Sequence, residues 1–135
     1  MNIDSIQNGI VIDHITAGKG MKLVNLLELD RDDVSVAIIK NVHSQKMGKK
    51  DIIKIDADIP VNLDVIGYVD PDATVNVIRS GVLTEKKVIE RPKTLTGVIR
   101  CKNPRCITSV EQELKHVFTL RSDGYRCLYC ETKAE

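Results

Sequence analysis

The sequence predicts an α+β protein in two parts, a βαββαβ domain with one added strand and a small metal-stapled antiparallel β module. Three observations predict it. The apolar pattern up to about residue 89 switches between a period of two and a period of 3.6, in strand–helix–strand–strand–helix–strand order. A polar link with a proline, Arg91-Pro92-Lys93-Thr94, then breaks the pattern. All four cysteines of the chain, Cys101, Cys106, Cys127 and Cys130, lie beyond that link.

Gly9 to Ile15 is rich in β-branched residues and reads as a buried strand, interrupted by Asp13 and His14. Thr16 is the expected N-cap of a helix whose apolar residues run from Met21 to Leu29. Asp30 to Asp33 is a turn. Val34, Val36 and Ile38 alternate with smaller residues and open a second strand ending near Val42. His43 to Lys50 reads as a polar loop, and Asp51 to Ala57 as a third strand with Ile53 and Ile55 on one face. Pro60 and Asn62 introduce a short helix that Pro71 ends. Ala73 to Arg79 and Val82 to Ile89 are strands separated by Ser80-Gly81. This order is the ferredoxin-like split motif, in which two helices cover one face of an antiparallel sheet. The predicted boundaries are 1–91 for this domain and 97–135 for the cysteine module.

The cysteine spacing is Cys-x4-Cys, a gap of 20, then Cys-x2-Cys. Two close pairs separated by a hairpin suit tetrahedral Zn²⁺, each pair wrapping one side of the ion. Polar turn residues in Lys102-Asn103-Pro104-Arg105 leave backbone N–H groups for sulfur. Four thiolates close the coordination sphere, so the expected ion is structural, one per chain. About 40 residues are too few for a core without such a staple, and metal binding supplies folding free energy. Two disulfides are the bland alternative, and a Cys-x2-Cys redox pair a third that leaves the other cysteines unexplained. Met1-Asn2-Ile3-Asp4 has neither the basic nor the long apolar segment of a secretory leader, which argues for a reducing, cytoplasmic setting.

Composition narrows the function. Twenty Lys and Arg against 19 Asp and Glu give a net charge of +1, without the basic footprint of general nucleic-acid binding. No apolar run approaches a membrane span. Neither phosphate-binding glycine fingerprint is present, and no nucleophile–base arrangement is readable, so an enzyme is not expected. Asp13-His14 inside an apolar strand must emerge at a strand end or pocket, because burying an unpaired charge is expensive. Five lysines, Lys49, Lys50, Lys54, Lys86 and Lys87, converge if the third and fifth strands approach the first. An acid for a ribose hydroxyl and cations for phosphates fit a nucleotide, although lysines on strands usually form a solvated face.

Gly9-Ile10-Val11-Ile12-Asp13-His14-Ile15, Met47-Gly48-Lys49-Lys50-Asp51-Ile52-Ile53-Lys54-Ile55 and Ala73-Thr74-Val75-Asn76 occur in that order, followed by the cysteine set. Over nearly the whole chain this resembles the regulatory chain of aspartate carbamoyltransferase. The resemblance implies a non-catalytic subunit of pyrimidine biosynthesis. Its N-terminal domain would bind CTP, UTP or ATP as allosteric effectors, and its zinc domain would dock on the catalytic chain. Regulatory chains of the family pair as homodimers. The family's nucleotide site maps onto Ile6 near the base, Asp13 at the ribose and His14 and Lys50 near the phosphates. Lys54 falls at the nucleoside, Asn76 on the pocket floor and Lys86 at the triphosphate. Asn103 and Glu131 match positions that face the catalytic chain, while Arg105 replaces a neutral polar residue there. The chain departs from the family at Gly81, where a tyrosine lines the base pocket, and in a shorter gap before Cys127. A zinc-ribbon nucleic-acid-binding protein is the alternative that the cysteine pattern alone allows.

Overall fold

The structure, a computed structural model, describes residues 6–134. The leader reading of residues 1–4 therefore lies outside the described residues. The chain divides into two compact units, one ending at Arg91 and the next beginning at Pro92.

The first unit is a five-stranded antiparallel sheet with two short helices. Its strands are β1 (Gly9–Thr16), β2 (Ser35–Ser44), β3 (Gly48–Asp56), β4 (Thr74–Arg79) and β5 (Val82–Val88), in the order β2-β3-β1-β4-β5. Helices α1 (Gly20–Leu26) and α2 (Leu63–Val69) pack on each other, and α1 also meets β3. Alternation sorts the strands into two faces. Ile53, Ile12 and Val75 are register partners across three strands and are fully buried. Ile10, Ile15 and Ile55 join them, with Leu23 of α1 and Ile66 of α2. Truncating such a side chain to alanine costs roughly 2–5 kcal/mol.

β1 keeps both Ile12 and Ile15 in the core because it carries a bulge between them. Ile12 pairs with Ile53 and Ile15 with Asp51, so three steps on β1 match two on β3. His14 takes up the extra residue in the left-handed region, at φ +57°. β2 has a matching bulge on the other side of β3, with Asn41 at φ +59°.

Several expected boundaries differ, each for a local reason. Thr16 is the last residue of β1, not a helix cap; Lys19 holds the N-cap position without a side-chain bond. The donors at the start of α1 are satisfied from another strand: Asp51 Oδ2 accepts the N–H groups of Gly18 and Gly20 at 3.1 and 3.0 Å. The helix stops at Leu26 because Glu28 turns left-handed, at φ +55°. Glu28 N–H then bonds Asn25 O and Leu29 N–H bonds Val24 O, a Schellman closure. Leu29 is buried as the residue that completes this motif, which is why it prolongs the helical apolar pattern. The expected loop from His43 to Lys50 shrinks to Gln45–Met47, since β2 runs to Ser44 and β3 starts at Gly48. Asn62 is the N-cap of α2, its side chain accepting the Asp64 N–H at 3.0 Å. Ser80 and Gly81, both at positive φ, form the two-residue turn joining Arg79 to its partner Val82.

The second unit holds β6 (Thr94–Thr96), β7 (Val117–Arg121) and β8 (Gly124–Cys127) in sequential antiparallel order, with a single helical turn, α3 (Ile107–Val110). Leu95, Phe118 and Tyr125 form its small apolar core beside the cysteines. The Tyr125 hydroxyl donates to the Pro92 carbonyl at 2.6 Å.

Candidate functional site

The sheet face of the first unit opposite the core forms a cleft of about 330 Å³. Register dictates its composition. Lys54, Val11, Asn76 and Lys86 are consecutive cross-strand partners on β3, β1, β4 and β5, so they stand in one row on one face. Asp13 and its partner Thr74 belong to the next row. Ile6, Ile52, Ile78 and Leu83 complete the lining with Val11, Asp13, Lys54 and Asn76. The result is an apolar floor crossed by an acid, an amide and cations.

The bulge in β1 gives this face two adjacent polar residues instead of one. Asp13 Oδ1 accepts the His14 backbone N–H at 2.6 Å and a bond from Lys50 Nζ at 2.9 Å. Burial pushes the Asp13 carboxyl up, but the Lys50 ammonium and the His14 N–H outweigh it and hold it below its ordinary value. His14 Nδ1 lies 3.1 Å from Thr74 Oγ1. Asn76 Oδ1 is buried and has no hydrogen-bond partner, an acceptor left open in the middle of the row.

Of the expected sites, Ile6, Asp13, Lys54 and Asn76 line the cleft, and Lys86 extends the row at its exposed edge. Lys50 and His14 join through Asp13 and Thr74. The expected convergence of five lysines is corrected to three. Lys87 pairs with Val75 and so belongs to the core-side set of β5, and Lys49 is in phase with Asp51 and Ile53, on the face away from the cleft. Gly81 caps the β4–β5 turn at φ +77°, where its N–H bonds Gln7 O at 2.9 Å. A side chain there would be strained and would meet Gln7.

Sequence reasoning missed the apolar floor, Val11, Ile52, Ile78 and Leu83, which read only as strand residues. It also missed Asp51, whose carboxylate is fully buried and accepts backbone N–H groups from Gly18, Gly20 and Asn41. The available signal was phase: Asp51 is two and four residues from Ile53 and Ile55, so it shares their face and points into the core.

The second unit carries a separate centre. The four cysteine sulfurs lie within 4.8 Å of one another. Cys101 Sγ is 3.5 Å from Cys130 Sγ, and Cys106 Sγ is 3.7 Å from Cys127 Sγ. Tetrahedral bonds of about 2.3 Å to one ion require sulfur separations of about 3.8 Å, so the set fits a metal of zinc's size. Both knuckles aim backbone N–H groups at sulfur, from Asn103 to Cys101, Thr108 to Cys106, Tyr129 and Cys130 to Cys127, and Thr132 to Cys130. The Thr108 hydroxyl, 3.1 Å away, draws the Cys106 thiol down against burial. The Thr132 hydroxyl, 3.2 Å away, takes Cys130 down to about 6. Burial pushes Cys101 up to about 12 and Cys127 upward as well. The Cys101 N–H is received by His116 Nδ1 at 2.9 Å.

Asn103 is built into the first knuckle. Its side chain accepts the Arg105 N–H, and its carbonyl accepts the Cys106 N–H and the Ser109 hydroxyl. Glu131 is exposed on the second knuckle at φ +64°. Ile107, Val110, Leu114, Leu128 and Tyr129 are exposed apolar residues of this unit. Among the described residues, no helix is long and apolar enough to cross a membrane.

Two family models match the chain. The allosteric domain of the aspartate carbamoyltransferase regulatory chain matches residues 1–90, and the metal binding domain of the same chain matches residues 93–135. An aspartate carbamoyltransferase regulatory chain of Clostridium botulinum is 48% identical over 97% of this chain and 92% of its own length. One of Clostridium tetani is 49% identical over 97% and 94%. One of Bifidobacterium longum is 44% identical over 100% and 99%.

Proposed function

Since the chain belongs to the family of aspartate carbamoyltransferase regulatory chains, with an allosteric and a metal-binding domain and no catalytic role of its own, we propose how it works within that family. The open face of the first unit binds a nucleoside triphosphate, CTP, UTP or ATP. Asp13 accepts from the ribose, Lys54 and the Asn76 amide meet the nucleoside, and His14, Lys50 and Lys86 take the phosphates. Ile6 lies by the base. The observation that carries this reading is the Lys54–Val11–Asn76–Lys86 row, with the unpartnered Asn76 Oδ1 in a cleft. A buried acceptor without a donor is costly, and a ligand donor would satisfy it.

The ion of the second unit is zinc, one per chain, in a structural role. The all-sulfur set supports zinc over the oxygen-seeking Mg²⁺ and Ca²⁺. The second unit docks on the catalytic chain in the cytoplasm, and regulatory chains pair as homodimers. The exposed Ile107, Val110, Leu114, Leu128 and Tyr129 support the docking, with Glu131 and Asn103 as polar contacts.

Effector binding alters catalysis only if the nucleotide prefers one quaternary state of the assembled enzyme. The test is co-expression with a catalytic chain and aspartate saturation curves with CTP, UTP and ATP. Displacement of the curve is the expected result. Nucleotide binding that leaves the curve unmoved would make this chain a structural bridge instead.

A further inference from the structure

Both halves of the metal centre repeat one short device. Cys106-Ile107-Thr108 follows the first pair of cysteines, and Cys130-Glu131-Thr132 closes the second. In each, the threonine sets its backbone N–H and its hydroxyl oxygen beside the sulfur two residues earlier, Thr108 Oγ1 3.1 Å from Cys106 Sγ and Thr132 Oγ1 accepting from the Cys130 thiol at 3.2 Å. Thr108 is 2% exposed, so its hydroxyl has been taken out of water to meet sulfur. It does not serve as a helix cap: Cys106 occupies the N-cap of α3, and no side-chain bond caps that end. Cys101 and Cys127 receive backbone N–H groups but stand in no such Cys-x-Thr sequence.

We propose that Thr108 and Thr132 are positioning residues of the metal centre, each hydroxyl steadying one thiolate of each cysteine pair. This rests on the metal-binding reading of the second unit. A metal-bound thiolate has no proton to give, so in the loaded site the hydroxyl must be the donor. The bond draws charge from sulfur and fixes the direction of its lone pairs. The ion is then carried by two supported sulfurs, Cys106 and Cys130, and two with backbone donors alone. Outer partners of metal ligands typically change affinity by about ten- to a hundredfold when removed.

The test uses the full chain loaded with Zn²⁺ or Co²⁺. Thr108→Val and Thr132→Val remove the hydroxyls at nearly constant volume, and the matching serine variants restore them. Thr119→Val is the control, because Thr119 Oγ1 is buried without a partner. Competition with a chromophoric chelator should show about tenfold or greater loss of zinc affinity for each valine variant. The sulfur-to-cobalt charge-transfer band should move to longer wavelength, since an unsupported thiolate gives up its electrons more easily. Serine should return both readouts toward the wild type, and Thr119→Val should change neither. Wild-type affinity and an unmoved band in the valine variants would overturn the proposal, as would serine variants as weak as valine. If Thr108→Val does not fold, the half-buried Thr132 decides alone. A wild-type chain that takes up neither metal would instead overturn the metal-binding reading itself.

Discussion

Lys50 Nζ lies 2.9 Å from Asp13 Oδ1, and the two side chains keep only 16% and 21% of their exposure. The pair joins β3 to the bulged end of β1, across the polar rim of the cleft. Asp13→Asn leaves Lys50 without its counter-charge, at a cost of about 1 kcal/mol after solvent screening. The sign of the pH dependence follows from the lowered carboxyl. Its contribution is full above the unfolded value near 4 and fades as pH falls through the lower folded value. Hydrogen exchange of first-unit amides should therefore separate wild type from Asp13→Asn at pH 7, and the gap should close as pH falls below ~4. A gap that widened in acid would contradict the assignment.

Asp51 is a fully buried carboxylate that ties three segments of the first unit together. Its carboxylate holds the start of α1 and the bulge of β2 through three backbone N–H groups. Asp51→Asn turns an NH2 toward donors, which should cost on the order of 3 kcal/mol and lower the melting temperature of the first unit by about 10 °C or more. Gly20→Ala should also destabilise, since a Cβ there would stand 2.8 Å from Asp51 Oδ2. Calorimetry on both variants checks this; an unchanged melting temperature in either would refute it.

Lys86→Ala should weaken triphosphates about tenfold or more while barely affecting the bare nucleoside, because a charge-assisted bond is worth roughly 1.5–3 kcal/mol. Titration calorimetry with the triphosphate and its nucleoside reads the difference. Equal losses for both ligands would place the phosphates elsewhere.

Chelation or Cys127→Ala should unfold the second unit and leave the first folded, since Leu95, Phe118 and Tyr125 make a core too small to stand alone. Amide NMR spectra with and without metal show which resonances collapse. Persistence of the second unit's dispersed signals after metal removal would count against a structural ion.

A fragment ending at Arg91 should bind nucleotide but fail to assemble with catalytic trimers. Gel filtration of the mixture decides it, and co-elution would move the docking surface to the first unit.

The succession of strands and helices, the start of α2 just after Pro60 and Asn62 and the cysteine cluster were legible because each rests on neighbours in sequence or on a fixed ligand spacing. The errors arose where distant residues did local work. Thr16 looks like a cap until Asp51, 35 residues on, supplies the acceptor. Lys87 looks like Lys86 until register assigns it to the opposite face. The bulge at His14 was half legible: two polar residues inside an apolar strand announced an irregularity, but only pairing with β3 revealed the extra step. Thr108 and Thr132 were invisible because a hydroxyl near sulfur leaves no pattern until the knuckle is folded.

The bulge of β1 has a consequence for how such a protein changes over generations. It is fastened on both sides: Asp70 Oδ2 accepts the Thr16 N–H at 2.6 Å, and Ile12 is locked between Ile53 and Val75. A slip of one residue would turn every side chain of the strand over, so the strand has no neighbouring state to drift into. Mutation can rework the rim, on β5 and the residues around Gln7, without disturbing the floor. Change would therefore proceed from the margin of the cleft inward, and the backbone step at Asp13 and His14 would be the last to shift.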